Sequence, residues 1–305
     1  MAIRFARRVC RLVAIGGADL VVVEGQLFPY LPPFAEWLLV KCRYQVIIEF
    51  DDAIYLTWGH RQKMPSLLRM ASAVIVGNEV LARFARQYSS RVRLIPTVVD
   101  TMRFIPAHVE SPLAVRVDPK PVTVVWTGLA YNLEYLTLVA PILRELREEG
   151  LITFRVVCSR PPRIPGLECD FRPWELDREV EVLQGCDIGI MPLPSNAWTE
   201  GKCGLKLLQY MAIGMAAVAS PVGVNQEIVS DGETGFLAST EGEWREKLRR
   251  LCEDSALRSR MGRAARRRVE ERYSLRQWGL RLARLYKELA HDGLTVGRED
   301  TVFTR

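Results

Sequence analysis

CDIGIMPLPSNAWTEGKCGLKLLQYMAIGMAAVASPVGVNQEIVSDGETGFL, Cys186 to Leu237, opens with an apolar strand, DIGIM (187–191), that ends in a Pro-containing loop. The turn Glu200-Gly201-Lys202-Cys203-Gly204-Leu205 then leads straight into an apolar helix (204–213), and a second strand follows, AAVAS (216–220). Strands apolar at every position, with a helix between them, belong to a parallel sheet covered on both faces. Small residues at 201 and 204 let backbone amides point at an anion, while Lys202 and Lys206 supply mobile positive charge. A diphosphate needs that combination of amides, helix dipole and cations. No Lys-Ser/Thr follows the last glycine, so this is not a Walker loop. No GxGxxG with a downstream acid marks a dinucleotide site.

The same alternation extends outward in both directions. Upstream in the same half lie strand VTVVW (122–126), helix 132–149, strand TFRVVC (153–158) and helix 175–184; downstream come a helical turn from Gln226, two helices over about 241–271 and a last one over about 275–290. A first series precedes it: helix 3–14, strand DLVVVE (19–24), helix 33–42, strand QVIIEF (45–50), helix 62–70, strand AVIVG (73–77), helix 78–87 and strand VRLIP (92–96). Between the two series, residues 106–121 carry four prolines and several charges and read as a linker. The expected organisation is a first α/β domain over 1–106, a linker over 107–121, a second domain over 122–273, a helix over 274–291 packing back toward the first domain, and a loose polar tail from 292. Each domain is expected to be doubly wound, with ligands bound beyond the carboxyl ends of the strands.

WTGLAYN, Trp126 to Asn132, follows the first strand of the second domain. Gly128 permits a tight turn with close backbone approach to a ligand, and a helix starting near Asn132 would offer its N–H groups to a phosphate. Taken on its own, Asn132 reads first as an N-cap, a role worth about 1 kcal/mol.

Composition narrows the class. Of 305 residues 49% are hydrophobic, and 42 Lys+Arg against 36 Asp+Glu give a formal net charge of +6, too weak an excess to imply a nucleic-acid partner. It suits phosphorylated ligands or an anionic membrane surface. The seven cysteines are scattered without a CxxC pair, as expected of reduced thiols in a cytoplasmic protein, and three distant histidines make a His-rich metal site improbable. No apolar run is long enough to cross a bilayer. Arg4, Arg7, Arg8 and Arg11 fall on one side of the first helix and Phe5, Val9 and Leu12 on another, an amphipathic pattern. With the Arg-rich stretch Arg258 to Arg272, otherwise a solvated face, it admits a peripheral contact with the inner face of a membrane.

Met211-Ala212-Ile213-Gly214 with Val218 and Ala219, and GVNQEIVSDGETGFLA after them, resemble the donor-binding region of the GT-B glycosyltransferases, in particular the retaining family 4 group. EFDDAIY (49–55), AVIVGNEVLARFA (73–85) and LIPTVVDTMRF (94–104) read like the same family, so the likeness runs to about residue 290. The resemblance implies two Rossmann-like domains, the first lacking its opening strand–loop–helix units, as in a truncated reading frame. It implies hexosyl-type transfer from a nucleoside diphosphate-sugar to a glycan or lipid-linked acceptor, with retention and without a metal or other cofactor. Glu200 and Lys206 would be catalytic; Gly128, Asn132, Lys202, Cys203, Gly204, Leu205, Gln209, Asn225 and Glu227 would bind the donor. Asp51, Asp52, His60 and Asn78 would face the acceptor.

Two departures stand out. The family's two glutamates, eight residues apart, fall here on Gly201 and Gln209, with Glu200 beside the first; Gln209 can still hydrogen-bond a ribose hydroxyl. The basic pair that relatives carry after Gly128 is absent, which leaves the diphosphate to Lys202 and Lys206. Plainer readings compete at several positions: Asp51-Asp52 as a turn cap rather than a metal pair, Asn78 as an N-cap, His60 as an exposed loop residue. At the level of the whole chain, the competitors are an inactive sugar-nucleotide-binding or scaffold protein and a sugar-nucleotide epimerase.

Overall fold

The structure, a computed structural model, describes residues 15–28, 30–107 and 121–299, with side chains to residue 291. Helix 3–14 and its arginines, residues 108–120 of the linker and the last residues of the tail lie outside the described residues. The chain forms two compact units. The first comprises the described residues up to Pro96, the segment Glu200–Cys203 and the described residues from Trp278; the second comprises Thr97–Thr199, as far as described, and Gly204–Gln277.

In the first unit, β1 (Leu20–Glu24), β2 (Gln45–Phe50), β3 (Ala73–Val76) and β4 (Val92–Leu94) form a parallel sheet in that order. Val46, Ile47 and Ile48 are wholly buried, which is why the central strand reads as an unbroken apolar run. The crossovers are α1 (Phe34–Lys41), α2 (Lys63–Met70) and α3 (Glu79–Ala85), with a 3₁₀ turn at Ile54–Leu56. Asn78 caps α3, its Oδ1 accepting from Leu81 N at 2.9 Å. Beneath α1, Glu36 and Lys63 form a buried ion pair at 2.8 Å. The pair is further bound to backbone: Leu27 N donates to Glu36, and Lys63 donates to Phe28 O, both at 2.9 Å.

The second unit holds six parallel strands: β5 (Val122–Thr127), β6 (Ile152–Cys158), β7 (Asp170–Pro173), β8 (Ile188–Met191), β9 (Ala216–Ala219) and β10 (Phe236–Leu237), in the order β10-β9-β8-β5-β6-β7. Its helices are α4 (Ala140–Glu148), α5 (Glu179–Gln184), α6 (Ala197–Glu200), α7 (Leu205–Ala212), α8 (Asn225–Ile228), α9 (Glu241–Glu253) and α10 (Ser255–Arg272). Successive residues of β5 serve opposite faces. Val124 and Trp126 join Leu143 of α4 and Trp244 of α9 in one core, while Val125 joins Tyr210 of α7 and Val269 of α10 in the other.

The expected helix 132–149 is two pieces, a 3₁₀ stretch Ala130–Leu138 and then α4, which carries a proline in its first turn. Asn132 therefore is not an N-cap; Leu129 holds that place without a side-chain bond. α11 (Leu275–Glu299) continues through the segment expected to be a loose tail. From Trp278 it belongs to the first unit, where Leu282, Leu285, Tyr286 and Leu289 cover Ile47, Ala73 and Ile75. The Arg-rich stretch is not simply a solvated face. Arg258 is buried and donates to Leu251 O and Cys252 O; Arg266 donates to Thr101, Phe104 and Ala212 carbonyls, and Arg268 to those of Glu227 and Ile228. Those guanidiniums close loop and helix ends within the unit.

Candidate functional site

In the second unit the chain winds outward from β5 through β6 to β7, then returns to lay β8, β9 and β10 on the other side. The connections after β5 and β8 leave on opposite faces of the sheet, α4 on one and α7 on the other. Their divergence opens a crevice at the carboxyl ends of these two strands. Asp187 holds the pair together: its carboxylate accepts from Thr123 N at 2.8 Å and its own N–H donates to Thr123 O at 2.9 Å.

Two close approaches set α7 over this crevice. The Tyr210 hydroxyl accepts from Thr127 N at 2.9 Å, and a Cβ on Gly189 would lie 2.4 Å from the Tyr210 ring. Only a glycine at 189 lets the helix come so near β8. Full burial pushes the Tyr210 phenol far above its ordinary pKa, so it serves as a neutral hydrogen-bonding group. At the helix start, Gly204 has φ 74°, a left-handed conformation suited to glycine, and a Cβ there would meet Ile228 Cδ1 at 2.3 Å. No side chain closes off the first turn of α7, which begins at Leu205. Its amides and dipole are the elements that hold an anion.

Lys206, in that first turn, reaches Gly128. A Cβ on Gly128 would lie 2.6 Å from Lys206 Cε and 2.9 Å from Nζ. The ammonium also stands 5.0 Å from the centroid of the Trp126 ring, a cation–π distance. Two positions far apart in the sequence thus meet at one point of the crevice, positive charge over a bare backbone.

The loops after β5 and β6 enclose a cavity of about 590 Å³ lined by Ala130, Tyr131, Leu133, Glu134, Arg160, Pro161 and Arg163. Neither guanidinium has a hydrogen-bond or ion-pair partner among the described residues. Sequence reasoning passed over both; the signal was Arg160-Pro-Pro-Arg163 directly after a buried strand. Asn132, in the same loop, is buried and its Oδ1 has no hydrogen-bond partner. Gln209 is likewise buried, and its amide donates to Glu179 Oε1 at 3.0 Å. Glu179 also accepts from Trp174 Nε1 at 3.1 Å and Arg103 at 3.3 Å, a network unseen in the sequence. Asn225 is buried and donates to Ser220 O at 2.9 Å, and Glu227 is exposed on α8.

The remaining candidates fall in the first unit. Lys202 lies 3.6 Å from Asp52. Asn78 donates to Gly201 O at 2.9 Å, to Lys202 O at 3.3 Å and to Cys203 Sγ at 3.3 Å, besides capping α3. Cys203 Sγ fills the space where a Cβ on Gly77 would stand. Glu200 is half-buried and Asp51 exposed. His60 is hydrogen-bonded to Gln26 and meets the Tyr30 ring edge-on at 5.4 Å; burial first, then Lys63, lowers its pKa below 6.5. Among the described residues no three His, Cys, Asp or Glu side chains come together as a metal site would require.

Residues 173–268 match the family model of the group 1 glycosyl transferases. The match runs from the end of β7 to α10 and takes in β8 and α7, but not β5, Gly128 or the loop with Arg160 and Arg163. The fold is that of solved glycosyltransferases of the two-domain Rossmann-like kind. The chain superposes on a sucrose-phosphate synthase from Thermosynechococcus elongatus with a TM-score of 0.70 and 18% identity, over 92% of this chain and 76% of that one. A glycosyltransferase from Rickettsia africae gives 0.68 and 14%, over 94% and 81%. Anabaena HepE, solved in complex with UDP and glucose, gives 0.70 and 14%, over 92% and 80%. No curated protein sequence matches the chain. No helix among the described residues is long and apolar enough to cross a membrane.

Proposed function

We propose that the protein transfers a sugar from a nucleoside diphosphate-sugar to a glycan or lipid-linked acceptor, with retention at the anomeric carbon and without a metal. The observation that carries this reading is Lys206 drawn onto Gly128 beside the uncapped start of α7; α7 and Lys206, though not Gly128, lie within the residues that match group 1 glycosyl transferases. HepE, similar in fold, is solved with UDP-glucose.

In this reading the diphosphate lies across Gly128 and the first turn of α7, at Gly204 and Leu205. Lys206 stabilises the charge that develops on the leaving group, the largest electrostatic term available to such a reaction. Arg160 and Arg163 supply the positive charge that the Leu-Ala-Tyr-Asn sequence after Gly128 lacks. The free Oδ1 of Asn132 is the acceptor for a donor hydroxyl or base N–H. Gln209, Asn225 and Glu227 hold the ribose side, Gln209 through the orientation that Glu179 gives it. The leaving phosphate oxygen takes the acceptor's proton. Of the first-unit residues, Asp51, Asp52, His60 and Asn78 are assigned to the acceptor, Glu200 to catalysis and Lys202 to the donor. The reaction takes place in the cytoplasm, at the inner face of the membrane where the acceptor is lipid-linked.

The test is release of nucleoside diphosphate from UDP-, GDP- and ADP-sugars with glycan or lipid extracts, with and without EDTA, and the anomeric configuration of the product by NMR. Acceptor-dependent release that survives EDTA and yields a retained anomer is expected. Binding without release would favour the inactive nucleotide-sugar binder, and an inverted product would remove the retaining mechanism.

A further inference from the structure

α1 is apolar on both sides, burying Leu39 beside Glu36 and leaving large apolar side chains outward, unlike a surface helix of a soluble protein. Its inward face carries a charge, Glu36, wholly buried in the ion pair with Lys63. Its outward face carries Phe34, Trp37, Leu38 and Lys41, at i, i+3, i+4 and i+7, all exposed. Phe34 and Trp37 stack at 5.8 Å, and Lys41 lies 5.5 Å from the centroid of the Trp37 ring.

The turn entering α1 continues the pattern. Tyr30 holds φ 68°, a left-handed conformation that costs a bulky residue energy and persists only where its surroundings enforce it. Its ring lies 6.2 Å from that of Trp58, and a Cβ on Gly59 would strike it at 2.8 Å. This strained backbone displays aromatics rather than burying them: Tyr30 is 57% exposed and Trp58 87%.

The charge on these segments has one sign. Residues 25–48 contain a single acid, Glu36, which is buried and paired; residues 53–78 contain none. Lys41, Arg43 and Arg61 are exposed on them, and the neighbouring acids, from Glu24 to Asp52, sit at the ends of β1 and β2. Interfacial aromatics fringed by cations with no exposed acid among them match the boundary between acyl chains and anionic headgroups.

We propose that this face of the first unit docks on an anionic lipid surface, with Phe34, Trp37 and Trp58 entering the headgroup boundary and Lys41, Arg43 and Arg61 on the phosphates. The surface acts apart from donor binding and can be tested without it. The experiment is flotation of the 305-residue chain with phosphatidylcholine vesicles, with and without phosphatidylglycerol. We expect binding that depends on phosphatidylglycerol and falls on the order of tenfold in F34S/W37S/W58S. All three are exposed, so an unchanged melting temperature would show the fold intact. K41E/R43E/R61E should lose the dependence on phosphatidylglycerol. Residues 1–14 remain in every variant, so binding that survives F34S/W37S/W58S would place the contact elsewhere and overturn the proposal. Absence of binding by the natural chain, equal binding to both vesicles, or a dimer that F34S/W37S/W58S abolishes would also overturn it.

Discussion

The two units share a parallel α/β architecture but differ in the charge near the strands' carboxyl ends, mainly acidic in the first and mainly basic in the second. Glu24 and Glu49 lie in the last two residues of β1 and β2, and Asp51 and Asp52 follow β2, with Lys202 3.6 Å from Asp52; near the carboxyl ends of β5 and β6 stand Lys206, Arg160 and Arg163. A parallel sheet with helices on both faces fixes where a ligand can sit and leaves its charge to a few loop residues. In the proposed function the second unit holds the diphosphate and the first faces the acceptor.

The sharpest way to break this contrast is to unsettle the first unit from beneath. Lys63→Ala would leave Glu36 buried with its charge uncompensated, at a cost of about 3–5 kcal/mol, read by denaturant unfolding. A loss well below 1 kcal/mol would mean that Glu36 takes a proton or turns outward. The next effect belongs to the second unit. Lys206→Ala should weaken nucleoside diphosphate binding by about 1.5–3 kcal/mol while sparing the free nucleoside, compared by calorimetry. Equal losses for both ligands would remove Lys206 from the phosphate site. Tyr210→Phe leaves the Thr127 N–H buried without its acceptor, and about 1–2 kcal/mol of stability should go with it. An unchanged melting temperature would say that the helix is held over β5 by packing alone.

The smallest effect is one of pH. Burial, then the charges of Asp51 and Glu24, raise Glu49 above 4.5, against a weaker opposing hydrogen bond from Tyr286. A carboxyl that holds its proton more tightly when folded costs stability wherever it is ionised, and the cost fades as pH falls through the raised value toward 4.5. Glu49→Gln should therefore raise the melting temperature slightly at about pH 7 and leave it unchanged near pH 4. A loss of stability at neutral pH would show that the Tyr286 bond outweighs the repulsion.

Most strands were legible because burial on both faces writes a continuous apolar run: 45–50, 122–126 and 187–191 are plain in the sequence. β7 is half-exposed and reads Asp-Phe-Arg-Pro, and β10 has only two residues, so neither carries a period. Of the candidate site, Gly128 and Lys206 were each readable from local chemistry, a glycine after a strand and a lysine in a first turn. Their meeting was not, since it depends on how α7 crosses β5. The same limit hid the partners of Gln209 and Lys202. Glu179 and Asp52 lie far off in the sequence, and the grouping of Glu200–Cys203 with the first unit leaves no local trace. Asn132 was misread because an asparagine at a helix start looks the same whether the turn is α or 3₁₀.

The central claim is that the crevice between β5 and β8 holds a diphosphate by amides and cations alone. Calorimetric titration of the chain with UDP, GDP and ADP and with the matching nucleosides, each with and without EDTA, tests it most directly. The account predicts that at least one diphosphate binds, more tightly than its nucleoside and unaffected by EDTA. Failure of all three to bind, or binding that EDTA abolishes, would contradict it.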